Sequence, residues 1–413
     1  MRGIAWDTEA WRSRFFAIWA GQAVSLLGSE LVQFALVWWL TRTTGSAVVL
    51  AGATLFALLP QILVSPFAGA LTDRWDRRRV MVFADASIAV STLVLACLFA
   101  LGAAQVWHVY VALLVRSAGS AFHWPAMQSS TSMMVPQRHL TRIGGLNQFL
   151  FGAAAVLCPP LGALLLESLP MHAVLAIDIS TALLAISPLL VLRIPVPLRN
   201  TTPTTVRSVI ADLGAGLRFV VGWRPILVII LTAMVVNLVM NPAAALTPLL
   251  VTQHFGGGAI ELAGLQSARG FGMLGGGALL ALWGGFRKRI VTVILALALL
   301  GAGFVAIGLL PPTAFRLALG AFAVTGVMAT TCDGALFAIL QSTVPHEMQG
   351  RVLSLLLSGA KAASPIGLAA AGPIADRFGV PVWYAIAGSV MVVASALIFL
   401  IPSVLQVEER PKA

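Results

Sequence analysis

The chain has 413 residues, of which 59% are hydrophobic and only 10% are charged, and its mean hydropathy is +0.94. Soluble domains carry about 25% charged residues, so this composition excludes an ordinary soluble globular protein. The net charge of +11 has no soluble basic domain to carry it. We interpret it as a signal of membrane topology and of contact with anionic lipids, which argues against nucleic-acid binding.

Apolar segments follow one another along the whole chain. A hydrocarbon core about 30 Å thick is crossed by roughly 20 apolar residues in a helix. Polar residues, Gly and Pro divide the sequence into about twelve such segments, at 15–41, 45–71, 80–103, 107–133, 143–167, 171–192, 225–252, 259–284, 290–311, 313–343, 352–375 and 381–405. The sequence therefore predicts an all-α membrane protein with about twelve transmembrane helices.

The basic residues between these segments are distributed unevenly. Most of the 26 Lys and Arg residues fall in the terminal segments and in the loops on the same side of the membrane. The opposite loops carry Arg42, Arg316 and Arg377. Because cytoplasmic loops are enriched in Lys and Arg, we expect a multi-pass protein of the plasma membrane with both termini in the cytoplasm.

The longest interruption between apolar segments divides the chain into two halves. It covers residues 193–224 and contains an amphipathic pattern at 206–221, which predicts a helix along the inner membrane face. We therefore expect a six-helix bundle at 1–192, a cytoplasmic linker at 193–224 and a second six-helix bundle at 225–413.

The two halves share short patterns in equivalent places. Gly69-Ala70-Leu71 precedes an Arg cluster, and Gly277-Ala278-Leu279 precedes another one 208 residues later. Pro136 and Pro345 are each followed by an Arg six residues further on. Duplicated halves around a central site are the plan of many secondary transporters, so we expect two pseudo-symmetric bundles.

The second and third segments are joined by Gly69-Ala70-Leu71-Thr72-Asp73-Arg74-Trp75-Asp76-Arg77-Arg78-Arg79. This stretch resembles the signature of the major facilitator superfamily, in which Gly precedes Asp-Arg, a second Gly and basic residues. Asp76 stands where the family has that second Gly. The resemblance implies a cytoplasmic gate, a latch between helix ends formed by Gly69, Asp73, Arg74, Arg77 and Arg78. A solvated loop that only sets the topology is the alternative.

Further stretches look closest to the macrolide-efflux proteins of the drug-exporter group. They include Trp19-Ala20-Gly21-Gln22, Thr44-Gly45-Ser46-Ala47, Arg116-Ser117-Ala118-Gly119 and Ala375-Asp376-Arg377-Phe378-Gly379. The resemblance implies a monomeric secondary transporter that exports bulky amphiphilic drugs such as macrolides in exchange for protons, by alternating access. A siderophore or lysolipid exporter, a nutrient importer of the same fold and a non-transporting membrane sensor remain as alternatives.

Five ionisable side chains fall near the middle of predicted helices. They are Glu30, Arg116, Arg269, Asp333 and Lys361. Each costs about 2.5–3.5 kcal/mol at the centre of a transmembrane helix, so we expect each to be paired or to face a wet cavity. The resemblance links an Arg in the fourth helix, here Arg116, to proton coupling.

The depths of these residues suggest one ion pair in each half. At about 1.5 Å rise per residue, Glu30 and Arg116 differ in depth by only about 3 Å, and Asp333 and Lys361 are similarly matched. We therefore predict that Glu30 and Asp333 bind the coupling protons, next to Arg116, Arg269 and Lys361. Static ion pairs that only orient helices are the alternative. Asp85 and Asp178 are expected to pair structurally or to face helix interfaces.

A substrate cavity is predicted between the halves. Its expected wall residues combine carboxylates, amides and aromatic rings: Glu30, Phe34, Trp124, Asn237, Asn241 and Asp333. Asn237 and Asn241 are four residues apart and so share one helical face. Amides in such positions also form hydrogen bonds between helices, which is the alternative.

Motifs of soluble enzymes do not fit the sequence. Gly270, Gly272 and Gly275 have the spacing of a dinucleotide fingerprint but lie inside an apolar segment, which favours helix packing. No phosphate-binding loop, zinc-protease motif or nucleophile elbow occurs. We therefore expect no enzymatic activity, no cofactor and no metal.

Overall fold

The computed structural model describes residues 11–72, 75–192, 194, 214, 217–344, 352, 356 and 358–409. Twelve helices of fifteen or more residues lie in this part of the chain. They are Trp11–Thr44 (α1), Ala47–Thr72 (α2), Arg77–Ala100 (α3), Val106–Met134 (α4), Gln137–Ser168 (α5), Met171–Val191 (α6), Arg224–Leu249 (α7), Ala259–Trp283 (α8), Arg289–Leu309 (α9), Phe315–Thr343 (α10), Ser364–Phe378 (α11) and Val380–Phe399 (α12).

The helices follow the predicted segments closely. Nine of the described helices are long and apolar enough to cross a membrane, namely all but α4, α8 and α11. The largest difference from the prediction is at the eleventh segment, predicted as 352–375. The helix α11 begins only at Ser364, after a turn at Ala363 that separates it from the helical residues before that turn, and it ends at Phe378. The prediction of an all-α membrane fold is confirmed. The predicted linker helix at 206–221 lies largely outside the described residues.

Glycines with positive φ end helices at the connections. Gly45 has φ +59° between α1 and α2, and Gly284 has φ +76° at the end of α8. Gly379, with φ +88°, separates α11 from α12. Side chains with a Cβ rarely adopt such angles, so these positions set where the helices stop.

The helices form two compact units: Met1–Leu40 with Leu55–Val206, and Thr41–Thr54 with Arg207–Ala413. We call residues 41–54 the α1–α2 corner. The corner comes early in the sequence but belongs to the second unit. The domain boundaries expected from the sequence, 1–192, 193–224 and 225–413, stay a prediction.

In the first unit, α3 lies between α4 and α6. Phe15 and Met81 are fully buried and pack in one cluster with Leu189, which ties α1, α3 and α6 together. Gly119 lets α4 approach α3, since a Cβ there would lie 2.9 Å from Ile88 Cγ1. Lipid is as apolar as these side chains, so close packing holds the helices together.

In the second unit, α8 and α10 touch backbone to backbone. A Cβ on Gly272 would lie 2.0 Å from the carbonyl oxygen of Ala323, and one on Gly276 would lie 2.4 Å from that of Val327. Gly326 on α10 fits against the backbone of α8 in the same way. These contacts follow the pattern of small residues four apart in membrane helices, and they confirm that Gly272 serves helix packing.

Candidate functional site

The loop before α3 holds the predicted gate motif. Asp73 and Arg74 lie outside the described residues, as do the surroundings of Gly69. Asp76 caps α3, because its carboxylate accepts a hydrogen bond of 3.0 Å from the backbone N–H of Arg78. Its φ is −64°, so this position does not need the glycine of the family signature.

Arg77 at the start of α3 and Arg289 at the start of α9 bind the C-terminal turns of α4 and α10, which are equivalent helices of the two repeats. Arg77 donates to the carbonyl of Ser129 at 3.3 Å and contacts the sulfur of Met133. Arg289 donates to the carbonyl of Ala338 at 3.3 Å and to the hydroxyl of Ser342 at 3.1 Å. Both target pairs are four residues apart at the end of a helix, so the scaffold of the repeat is preserved in both units.

Arg78 anchors a different helix end. Its guanidinium donates to the carbonyl oxygens of Leu189 and Leu190, near the end of α6. Helix C-termini carry unsatisfied carbonyls and the negative end of the helix dipole, which a cation satisfies. Arg77 and Arg78 therefore hold helix ends together inside the first unit.

Arg116 lies in a buried polar network with Asp178. It forms an ion pair with the Asp178 carboxylate and donates to Thr92 Oγ1 at 2.7 Å. Thr92 and Ser29 donate to the same carboxylate at 3.1 and 2.9 Å. Arg116 is 8% exposed and Asp178 is 0% exposed. A buried charge pair of this kind is stable when its remaining hydrogen-bonding groups are satisfied, as they are here.

Arg116 thus pairs with Asp178 rather than with Glu30 in this structure, and the role of Glu30 and Arg116 in proton coupling stays a prediction. Part of the Glu30 side chain is accessible to solvent, and its charge lies close enough to Arg116 for an electrostatic interaction. A similar depth along two helices does not fix the direction of a side chain, because consecutive residues differ by about 100° around the helix axis. Ser29, the residue before Glu30, is the one that donates to Asp178. The expectation that Asp178 pairs structurally is supported by this network.

A largely apolar cavity of about 210 Å³, with several polar side chains in its wall, lies inside the first unit. Asp85, 6% exposed, contributes its carboxylate to the wall and accepts a hydrogen bond of 3.0 Å from Gln22 Nε2. His123 Nε2 lies 3.4 Å from the other carboxylate oxygen. Sequence reasoning placed Asp85 among structural pairs and gave His123 no role.

Aromatic rings form much of the wall. Trp124 and Phe151 both line the cavity, and their ring centroids are 5.4 Å apart. Trp19 also lines it and donates a hydrogen bond of 2.8 Å to Asn147 Oδ1. Trp124 thus lies in the wall of a cavity inside the first unit, and its place in a substrate cavity stays a prediction.

Phe34 differs from its predicted place. It is 6% exposed, and a Cβ on Gly162 would lie only 2.8 Å from its ring. Its ring fills the gap that Gly162 leaves between α1 and α5. Phe34 is therefore a packing residue in this structure, because a glycine on the facing helix accepts it.

A smaller cavity of about 90 Å³ lies inside the second unit. Asn237 and Asp333 line it together with apolar side chains and Cys332. Arg269 on α8 lies close enough to Asp333 for their charges to interact. Lys361 is exposed, and its pairing with Asp333 stays a prediction.

The two predicted amides of α7 contact one another. Asn241 Nδ2 donates to Asn237 Oδ1 at 3.2 Å and to Ser364 Oγ at 2.6 Å. The prediction that they share one helical face is confirmed. Asn237 lines the small cavity, which fits the cavity interpretation. Asn241 joins α7 to α11, which fits the packing interpretation.

The α1–α2 corner is held by a distant carboxylate. Asp376 accepts hydrogen bonds from Ser46 Oγ at 3.1 Å, Ala47 N at 2.6 Å and Val48 N at 3.3 Å. Gln253 Nε2 donates to the carbonyl of Gly45 at 2.7 Å. An acceptor at a helix N-terminus satisfies free N–H groups and favours negative charge, so Asp376 caps α2 from the far end of the sequence.

No cluster of three metal-ligating side chains occurs among the described residues. The chemistry of the described polar groups is that of proton binding, hydrogen bonding and cation binding, carried by carboxylates, an imidazole and amides.

Comparisons with known proteins agree with this architecture. Macrolide efflux protein A from Streptococcus pyogenes is 33% identical over 92% of this chain and 94% of that protein. Multidrug efflux pump Tap from Mycolicibacterium fortuitum is 28% identical over 85% of this chain and 87% of that pump.

Solved structures share the fold at low sequence identity. A crystal structure of nucleoside transporter NupG (D323A mutant) has a TM-score of 0.73 at 12% identity, covering 94% of this chain and 99% of that one. A D-xylose-proton symporter has a TM-score of 0.70 at 14% identity, covering 94% and 96%. The Major Facilitator Superfamily family model matches residues 18–368. The chain is therefore a membrane transporter that belongs to the Major Facilitator Superfamily.

Proposed function

We propose that this protein exports bulky amphiphilic drugs, such as macrolides, in exchange for protons. The observation that carries the proposal is the similarity to exporters of macrolides and other drugs over nearly the whole chain. The cavities inside the two units support it, because each combines apolar walls with a carboxylate. Such walls suit an amphiphilic ligand that also carries a polar or charged group.

The energy for export comes from the proton gradient. We assign proton binding to Glu30 and Asp333, with Arg116, Arg269 and Lys361 as the cations that compete with the proton. The Coulombic interactions of Glu30 with Arg116 and of Asp333 with Arg269 support this assignment. A membrane potential of about 100 mV supplies roughly 2.3 kcal/mol for each charge that moves, enough to concentrate a substrate.

Substrate contacts are assigned to the predicted wall residues. Trp124 and Asn237 supply an aromatic face and an amide, and Asp333 supplies a charge beside Asn237, all on cavity walls. Glu30 and Asn241 complete the proposed set, whereas Phe34 packs α1 against α5 and is not assigned to the substrate. Alternating access then exposes these residues to one side of the membrane at a time.

The proposal also includes the oligomeric state, the location and the topology of the protein. The protein works as a monomer in the plasma membrane, surrounded by lipid, with both termini in the cytoplasm. Its bundles are 1–192 and 225–413, joined by a cytoplasmic linker at 193–224. The motif containing Gly69, Asp73, Arg74, Arg77 and Arg78 acts as the cytoplasmic gate.

Transport by purified protein in proteoliposomes tests the proposal. An imposed pH gradient is expected to drive movement of a labelled macrolide, and the double variant Glu30→Gln, Asp333→Asn is expected to lose this response at least tenfold while still exchanging substrate across the membrane. Both substitutions keep size and remove the titratable group. Glu167→Gln, at an exposed position of α5, is the matched control and should transport like the unchanged protein.

Two results would contradict the proposal. Gradient-driven transport that persists in the double variant would remove the assigned proton sites. Equal accumulation of the macrolide in cells with and without the protein would exclude this substrate class and favour a siderophore or lysolipid exporter.

A further inference from the structure

The cavity of the first unit contains a carboxylate, that of Asp85, which no Lys or Arg in the described part of the chain pairs with. Asp85 is 6% exposed and accepts a hydrogen bond from Gln22, which is neutral. His123 Nε2 lies 3.4 Å from Asp85 and makes no hydrogen bond within the described part of the chain. The imidazole therefore neutralises the carboxylate only when it is protonated.

The other charges near this carboxylate already have partners. Arg116 on α4 forms its ion pair with Asp178 on α6, and Asp178 also acts on Asp85 as a like charge. On α1, Gln22 supplies no charge, and Glu30 interacts with Arg116. With His123 neutral, this group of side chains has an excess of negative charge, and a buried uncompensated charge is unfavourable.

The walls around Asp85 suit an organic cation. Trp124 is 47% exposed and lies beside Phe151, with Trp19 across the same cavity. Indole and phenyl faces attract cations within about 6 Å of the ring centroid, most strongly where water is excluded. Because a small metal ion would need several oxygen ligands, one carboxylate among aromatic rings favours an ammonium group instead.

The size of the cavity limits what it holds. Its volume is about 210 Å³, whereas pockets for whole drug-sized molecules are about 300–1,000 Å³. A substituted amine with one ring fits this volume, while the body of a bulky amphiphile does not.

Four polar residues of the cavity lie at similar depths. Gln22, Asp85 and Asn147 are 11, 8 and 10 residues from the starts of α1, α3 and α5, and His123 is 11 residues from the end of α4. These ends lie on the same side because successive helices alternate in direction. At about 1.5 Å per residue, all four groups lie roughly 12–17 Å inside the helical body.

We infer that this cavity binds the protonated amine head of an amphiphilic substrate, with Asp85 as its counter-ion and His123 as the group whose protonation competes with it. The inference rests on the proposed function, since it specifies which part of an exported drug is recognised. Protonated His123 neutralises Asp85, and the ammonium then loses its partner. Binding of the cation therefore weakens as the pH falls.

Binding of phenyltrimethylammonium to the purified full chain tests the inference. This cation cannot lose a proton, and tert-butylbenzene is its neutral isostere. Calorimetry, with binding to protein-free micelles subtracted, is expected to show about tenfold or greater weakening for the cation in Asp85→Asn and less than a twofold change for the isostere. Asp85→Glu keeps the charge and should retain most of the affinity.

The pH dependence separates His123 from a purely structural neighbour. Affinity for the cation is expected to fall severalfold between pH 8 and pH 5.5 in the unchanged protein and to fall clearly less in His123→Gln. Glu167→Gln serves as the control carboxylate and should retain both the affinity and its pH dependence.

Failure of the inference is distinguishable from failure of the proposed function. If Asp85→Asn folds with an unchanged melting temperature and binds the cation like the unchanged protein, the inference is overturned whatever the export assay shows. An equal loss of affinity for the neutral isostere also overturns it. If the cation binds through Asp85 but no macrolide is exported, the inference stands and the substrate class proposed above is wrong.

Discussion

The two units place acidic residues on cavities in different ways. In the first, Asp85 is buried beside Gln22 and His123, and the nearby Arg116 is fully engaged by Asp178. In the second, Asp333 is exposed on an apolar cavity and interacts with Arg269. Duplication therefore kept the scaffold, as the contacts of Arg77 and Arg289 show, while the charged residues inside the two units diverged.

Packing differs between the units as well. The second unit brings α8 and α10 into backbone contact at Gly272, Gly276 and Gly326. In the first unit, Gly162 accepts the Phe34 ring, and a Cβ on Gly119 would lie 3.2 Å from the carbonyl oxygen of Ala84 as well as 2.9 Å from Ile88. The backbones therefore approach more closely at Gly272 and Gly276, where a Cβ would lie 2.0 and 2.4 Å from a carbonyl oxygen, than at Gly119.

Removing the buried ion pair gives the largest expected effect. Asp178→Asn leaves the Arg116 guanidinium buried without its counter-charge, and breaking such a pair costs about 3–5 kcal/mol of folding free energy. Asp333→Asn, at an exposed position of the other unit, is expected to cost under about 1 kcal/mol. Thermal unfolding followed by Trp fluorescence compares the two variants. Equal losses of stability would mean that the units do not differ in this respect.

Filling a glycine contact in the second unit comes next. Gly272→Ala places a Cβ against the backbone of Ala323 and is expected to lower stability by about 1–3 kcal/mol through overpacking. Gly275→Ala is the matched control, since its Cβ would meet Val327 at an ordinary 3.8 Å. Alanine favours a helix over glycine by about 1 kcal/mol, so the control should be neutral or stabilised. A Gly272→Ala protein that melts like Gly275→Ala would refute the backbone contact.

Loss of the distant helix cap gives the smallest effect. Asp376→Ala removes the acceptor for the free N–H groups of α2, which costs about 0.5–2 kcal/mol. Hydrogen exchange measured by mass spectrometry is expected to speed up at Ala47 and Val48 and not elsewhere in α2. Asp76→Ala, which removes a local cap, should instead speed up exchange at the start of α3. No change at the α1–α2 corner would show that Asp376 does not hold it.

The helices could be predicted because membrane crossing imposes a local requirement. A span needs about 20 apolar residues with its backbone hydrogen bonds satisfied internally, and this is visible in any window of the sequence. Helical periodicity likewise predicted that Asn237 and Asn241 share a face. The partner of Arg116 could not be predicted, since depth matching gives height along a helix and no information on the direction around it.

Hydropathy and motif spacing are enough to predict a membrane protein of about twelve helices with a duplicated scaffold, because both are visible within a few residues of the sequence. The pairing of Arg116 with Asp178, the shared cavity of Asp85 and His123, and the cap of Asp376 on α2 become visible only in the folded chain. These contacts join residues tens to hundreds of positions apart. Their geometry depends on how several helices rotate and pack together, which no local pattern encodes.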